Sequence, residues 1–252
     1  MDLKELTGFI AELALILSSC GAETRLIVQT SERVAKACGC TAVVIVSPNM
    51  IIIKLTRGDE EYSSFYRTRG IGLNLGSLIY CSRLCRKLEE KKISPSHLNH
   101  ILKNFSSWKY SNFLVIPVIG IACGSFCFLN GGNAHAAVTA VLAGCVTIAL
   151  KLYLNRLGLF HLFVFISCGF TGTLVSFVLG TFVCGLGSTD LAVAMVVSLL
   201  PFVPGFPFIN GILDLFKGYP VMGIYRLVTT VMLILSVCIG VVLALSLTSL
   251  WY

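Results

Sequence analysis

The sequence predicts a membrane α-helical protein, with a cytoplasmic α+β domain over residues 1–112 and about five transmembrane helices over residues 113–252. Three observations carry that expectation. Hydrophobic residues make up 56% of the chain and charged residues only 12%, whereas a soluble globular chain carries about 25% charged residues. So little charge cannot clothe a water-facing surface, and much of this one must face lipid. The charges are also unevenly placed. Of the 19 Lys and Arg only Lys151, Arg156, Lys217 and Arg226 follow residue 112, and of the 12 Asp and Glu only Asp190 and Asp214 do. Finally, the region poor in charge reads as long apolar runs separated by short loops.

The first element is a helix. Leu6, Phe9, Ile10, Leu13, Ala14 and Leu17 recur at helical spacing with one apolar face. Asp2, Glu5 and Glu12 interrupt the run, so it reads as a domain helix rather than a signal peptide. A second helix runs from about Glu23 to Cys38, with Gly39 suited to its C-terminal cap. Residues 41–47 and 51–56 are β-branched and apolar, and Pro48-Asn49 between them predicts a hairpin. Gly58-Asp59 is a second turn, leading to a third strand over 62–68. Asn74 can cap a helix whose apolar face holds Leu75, Leu78, Ile79, Cys85 and Leu88. Ser94-Pro95 is a cap followed by proline at the first helical position. Trp108 and Tyr110 then suit a membrane interface.

The apolar half predicts spans at about 113–129, 134–154, 159–183, from 191 onward, and 224–247. Basic residues sort the loops. Lys109 precedes span one, Lys151 and Arg156 are assigned to the loop region that closes span two, and Lys217 and Arg226 to the junction of spans four and five. Loops 130–133 and 184–190 and the C-terminus carry none. This alternation predicts a multi-pass protein with a cytoplasmic N-terminus and a C-terminus outside. The net charge of +7 is read the same way, not as a nucleic-acid surface, since no RGG tract, zinc-finger spacing or basic–aromatic ladder accompanies it.

The stretch from Leu200 to Gly218 carries the candidate chemistry. Pro201, Pro204 and Pro207 each remove an amide donor, and Gly205 adds backbone freedom, so no helix passes through unbroken. The flanks are apolar. Irregular backbone at membrane depth is tolerated only where it is buried in protein or lines a wet cavity, and an interrupted span points to a transport site. A new helix starting near Pro207 or Asn210 would present free amides to a carboxylate. Asp214 falls one turn beyond Asn210, and Arg226 opens the last span. Two readings stay open: these groups meet a permeating solute or coupling charge, or they pair at the interface of a cytoplasmic turn. Pro201, Pro204, Gly205, Pro207, Asn210, Asp214 and Arg226 are the candidate transport-path residues. Gly120-x3-Gly124, Ala140-x3-Gly144 and Gly169-x2-Gly172 read as helix-packing contacts.

Other polar groups read as structural. Cys38-x-Cys40 and Cys81-x3-Cys85 lack zinc-knuckle spacing, and their cysteines act as small apolar residues. His97 and His100 belong to a solvated helix face. His135 and His161 sit at span ends. Arg67, Arg69 and Gly70 form a basic loop. No catalytic or cofactor-binding motif occurs, so neither an enzyme, a metal nor a cofactor is expected.

Three patches give the chain a resemblance to the threonine/serine exporter family over nearly its whole length. Cys20-Gly-Ala-Glu-Thr24 is similar to the family's S-G-A-E-T segment. Val46-Ser-Pro-Asn49 leading to Arg67-x-Arg-Gly-Ile-x-Leu73 is similar to its T-P-T and R-G-I-D-L elements. Leu200 to Gly218 is similar to its L-x-P-G-x-x-x-x-N-x-x-x-D segment, with Pro204, Gly205, Asn210 and Asp214 matching. Gly72 stands where the family has Asp, and Asn49 where it has the second Thr. Single-chain members have about ten spans in two unequal halves, and this chain supplies only the first. The resemblance therefore implies the split form: a hetero-oligomer with a second small membrane subunit in the bacterial inner membrane. It also implies export of a small carboxylate, succinate first, with threonine or serine as the alternative. Readings of another class are a membrane-anchored enzyme and a sensor module.

Overall fold

A computed structural model describes residues 2–68, 70, 72–105 and 110–249. Trp108, Lys109 and Arg69 lie outside the described residues. The chain divides into two compact units, residues 1–109 with 206–227 and residues 110–205 with 228–252.

The first unit is built on helix α1, Leu3–Ser19, with Asp2 accepting from the Leu3 amide at its start. Leu6, Phe9, Ile10, Leu13, Ala14 and Leu17 are buried as their spacing predicts. Burial also reaches Leu3, Thr7, Ala11, Leu15 and Ile16, so α1 is enclosed on more than one face. Helix α2, Thr24–Ala37, ends at Cys38, followed by Gly39 at φ +74. Strands β1 (Thr41–Val46), β2 (Met50–Arg57) and β3 (Glu60–Arg67) form an antiparallel sheet in the order β1-β2-β3. Val46 pairs with Ile51 and Arg57 with Glu60. Ala42, Val44, Val46, Ile51, Ile53 and Leu55 enter the core, while Val43, Ile45, Ile52 and Phe65 stay exposed on the other face.

Helix α3, Leu75–Glu89, starts at Asn74, whose side chain accepts from the Ser77 amide. Its buried face differs from the predicted one. Cys81, Leu84, Cys85 and Leu88 are buried, whereas Leu75 and Ile79 are exposed. The first four follow i, i+3, i+4, i+7 spacing, and the other two lie beside that stripe. Helix α4, Pro95–Lys103, is capped by Ser94. His97 and His100 are exposed on it, as expected.

The second unit contains helices α5 (Asn112–Leu129), α6 (Ala134–Arg156), α7 (His161–Val178, continued by a π-helical turn at Leu179–Val183) and α8 (Ser188–Ser198). A 3-10 turn at Leu200–Phe202 follows. Next come α9, Gly205–Phe216, and α10, Pro220–Thr248. Among the described residues, four helical stretches are long and apolar enough to cross a bilayer: Asn112–Leu129, Ala134–Arg156, His161–Val183 and Pro220–Thr248. A fifth crossing exists only if Ser188–Phe202 and Gly205–Phe216 together form one broken span. The predicted fourth span is thus not a single helix, because Pro201 and Pro204 remove the amide donors needed to continue α8.

The small residues pack as their spacing predicts. A methyl group on Gly144 would sit 2.9 Å from the Cys123 sulfur, and one on Gly169 would meet the Val237 carbonyl. The loops predicted to lack basic residues meet: the Asn133 side chain donates to Asp190 at 2.7 Å. Lys151 and Arg156 both lie within α6, Arg156 as its last residue, not in the loop after it. The Lys151 ammonium sits 5.1 Å and 5.0 Å from the ring centres of Phe165 and Phe202, a cation–π contact that offsets its removal from water.

Candidate functional site

Two turns of the first unit build the site. The first joins α1 to α2. The Gly21 amide donates to Ser18 and the Ala22 amide to Leu17, both at 3.1 Å. This pattern ends a helix through a left-handed residue, and Gly21 has φ +89. A Cβ there would also lie 2.8 Å from the Gly72 carbonyl. Residues 72–74 run beside this turn, with Gly72 donating to Ser19 and Asn74 to Cys20. The second turn joins α9 to α10 through Lys217-Gly218-Tyr219, with Gly218 at φ +82. Gly211 and Gly223 let the two helices close up: a Cβ on Gly223 would lie 2.9 Å from the Gly211 carbonyl.

This geometry brings three of the candidate residues together. Asn210 and Asp214 lie on the inner face of α9, and Arg226 lies on α10; all three are buried. Asp214 is fully enclosed, accepts two hydrogen bonds and meets a guanidinium. The Thr24 amide reaches Oδ1 at 2.9 Å and the Thr24 hydroxyl reaches Oδ2 at 2.9 Å. The Arg226 Nη1 lies 3.0 Å from Oδ2. That last approach is a close charge contact, since its alignment falls short of a hydrogen bond. Arg226 also donates from Nη2 to the Ala22 carbonyl at 2.7 Å, and Asn210 donates to the Gly21 carbonyl at 3.0 Å. Lys217 pairs with Glu23 at 2.5 Å.

The arrangement has a local cause at the start of α2. Its N-cap is Glu23, which makes no side-chain cap bond. The positive end of a helix dipole and a free amide therefore await an anion, and Asp214 supplies it from 190 residues away. The carbonyls of Gly21 and Ala22, in the left-handed turn that ends α1, accept from Asn210 and Arg226.

The remaining candidates do not join this cluster. Pro201 falls in the 3-10 turn, Pro204 in the break after it, and Gly205 opens α9. Pro207 sits in the first turn of α9. Because α9 starts at Gly205, Asn210 lies in its second turn, not at its free N-terminus. Asn210 contributes its side chain, not an unused amide. Sequence reasoning missed Gly21, Ala22, Glu23, Thr24 and Lys217 as partners. The available signal was a helix start without Ser, Thr, Asp or Asn at its cap.

A sequence model of the family described as "Putative threonine/serine exporter" matches residues 8–248. The chain belongs to the threonine/serine exporter family. It is similar to the "Probable succinate transporter subunit YjjP" of Klebsiella aerogenes, 27% identical over 244 residues, covering 96% of this chain and 94% of that one. The namesake from Escherichia coli strain K12 is 27% identical over 247 residues, with the same coverage. No solved structure matches the chain.

Family membership and the apolar helices make the chain a multi-pass membrane protein of an exporter family. The patches that carry the family resemblance meet in the first unit. Cys20–Thr24 contacts Gly72 and Asn74 on one side and Asn210, Asp214 and Arg226 on the other. Pro48 and Asn49 are tied to the end of β3 through Thr68, whose hydroxyl donates to the Pro48 carbonyl at 2.7 Å.

Proposed function

We propose that this chain is one subunit of a secondary exporter for small carboxylates, working with a second small membrane subunit. Succinate is the first substrate class, with threonine or serine as the alternative. Both similar transporter subunits carry succinate in their names, and the family is described by threonine and serine. The observation that carries the reading is the enclosed pair Asp214 and Arg226, 0% and 3% exposed at the side chain. An ionisable pair at membrane depth is by default a candidate solute or ion site, and α9 with the helix before it can form a broken span.

In this reading Pro201, Pro204, Gly205 and Pro207 shape the break from which α9 starts. Asn210, Asp214 and Arg226 handle the carboxylate and the coupling charge. The N-terminal domain faces the cytoplasm of a bacterial inner membrane and the C-terminus lies outside, following the alternation of basic loops. The test is co-expression with the membrane protein encoded next to this one, reconstitution, and efflux of labelled succinate and threonine. Saturable efflux that falls in Asp214→Asn at equal abundance is expected. Absence of efflux for both solutes removes the reading, and unchanged efflux in the variant removes Asp214 from the mechanism.

A further inference from the structure

We propose that the start of α2, together with Arg226, is a carboxylate seat that Asp214 fills in the conformation described, and that a carboxylate of the exported solute takes it when α9 withdraws. The idea rests on the exporter reading for its solute, but not for the seat.

The seat is defined by what already sits in it. One carboxylate receives the first amide of a 14-residue helix, the hydroxyl of the same residue and a guanidinium. Backbone amide, hydroxyl and arginine are the donors that recognise carboxylates in general. None of them depends on the chain that carries the carboxylate. Arg226 supplies a second, independent sign. Its side chain is 3% exposed, yet among the described residues Nε has no hydrogen-bond partner and Nη1 meets Asp214 only as a charge contact. A buried guanidinium left with unused donors is a costly arrangement. A carboxylate presented in the plane of the guanidinium, free of the α9 backbone, could engage two of those donors at once, as a side chain fixed on a helix does not. Asp214 therefore behaves as an internal stand-in: it keeps the seat charged and dry, and it competes with the solute.

The release of α9 has few ties to break in the seat itself. Beyond Asp214, the bonds among the described residues from α9 and its following turn to Gly21–Thr24 are those of Asn210 and Lys217. Arg226 stays bonded to Ala22 from α10, so the seat keeps its cation when the aspartate leaves.

The test uses the full chain purified in detergent. Asp214→Ala empties the seat. Formate, acetate and succinate should each raise its melting temperature saturably, while chloride at equal ionic strength should not. The wild type, whose seat is already filled, should respond more weakly, and Asp214→Ala/Arg226→Ala should not respond. No response to any carboxylate, or an equal response to chloride, overturns the seat. A response to formate and acetate without succinate overturns its use by the solute. Should Asp214→Ala fail to fold, the isosteric Asp214→Asn weakens the internal competitor without emptying the site. It should bind labelled succinate about tenfold more tightly than the wild type, the ratio expected when a charge-assisted occupant becomes neutral. Equal affinities overturn the proposal. Absence of efflux from the reconstituted wild type, alongside stabilisation of Asp214→Ala by the carboxylates, would sink the exporter reading and leave the seat standing.

Discussion

At the scale of single residues, Asp214 and Arg226 dominate, because neither is screened by solvent. Removing one member of a buried pair strands the other charge. Arg226→Ala should therefore lower unfolding stability by about 3–5 kcal/mol, measured by denaturant titration in detergent. Replacing both by Leu and Met should cost less than either single change. Thr24→Val deletes one donor to Asp214 and should cost about 1–3 kcal/mol. The sequence made this pair legible in part. Two charges in an apolar stretch flag themselves, and their mutual pairing was one of two open readings. Their third partner was not legible, because Thr24 has no spacing relation to Asp214 and only the fold closes the gap.

At the scale of elements, the α1–α2 turn admits no side chain at Gly21. The left-handed φ and the Gly72 carbonyl at 2.8 Å from a built Cβ both oppose it. Gly21→Ala should cost about 1–3 kcal/mol and loosen both carbonyls that receive Asn210 and Arg226. Helix α3 has a different sensitivity. Burial pushes the Cys81 and Cys85 thiols from the ordinary 9.0 up to about 12. The folded chain thus holds protons that the unfolded chain releases. Their contribution to stability is complete below about pH 9 and is lost as pH rises from 9.0 towards about 12. Maleimide at pH 8 should leave both thiols unlabelled in the folded protein and modify them after unfolding. Helix and strand positions were readable from caps, β-branched runs and turn residues. The buried face of α3 was not, because Leu75 and Ile79 are as apolar as the residues that pack. Hydropathy cannot say which of two adjacent stripes a core selects.

At the scale of the whole molecule, residues 206–227 belong to the same compact unit as residues 1–109. A chain begun at residue 110 keeps its long apolar helices but leaves Asp214, Arg226 and Asn210 without Thr24, Ala22 and Gly21. Its detergent-extractable yield should fall several-fold below that of the full chain, compared by a C-terminal tag at matched expression. Composition made the membrane class and the long helices plain. It could not reveal that a segment near the C-terminus completes a unit begun at the N-terminus, since hydropathy reports burial without naming a partner.

The trans-acting cap of α2 also sets an order of events during synthesis. Thr24 emerges from the ribosome 190 residues before Asp214, an interval of about 10–40 s at ordinary translation speeds. Throughout it, the start of α2 must wait with an unanswered amide while three apolar helices enter the bilayer. The N-terminal region can therefore reach its final state only after most of the membrane part has been inserted, which makes its completion a late checkpoint on assembly.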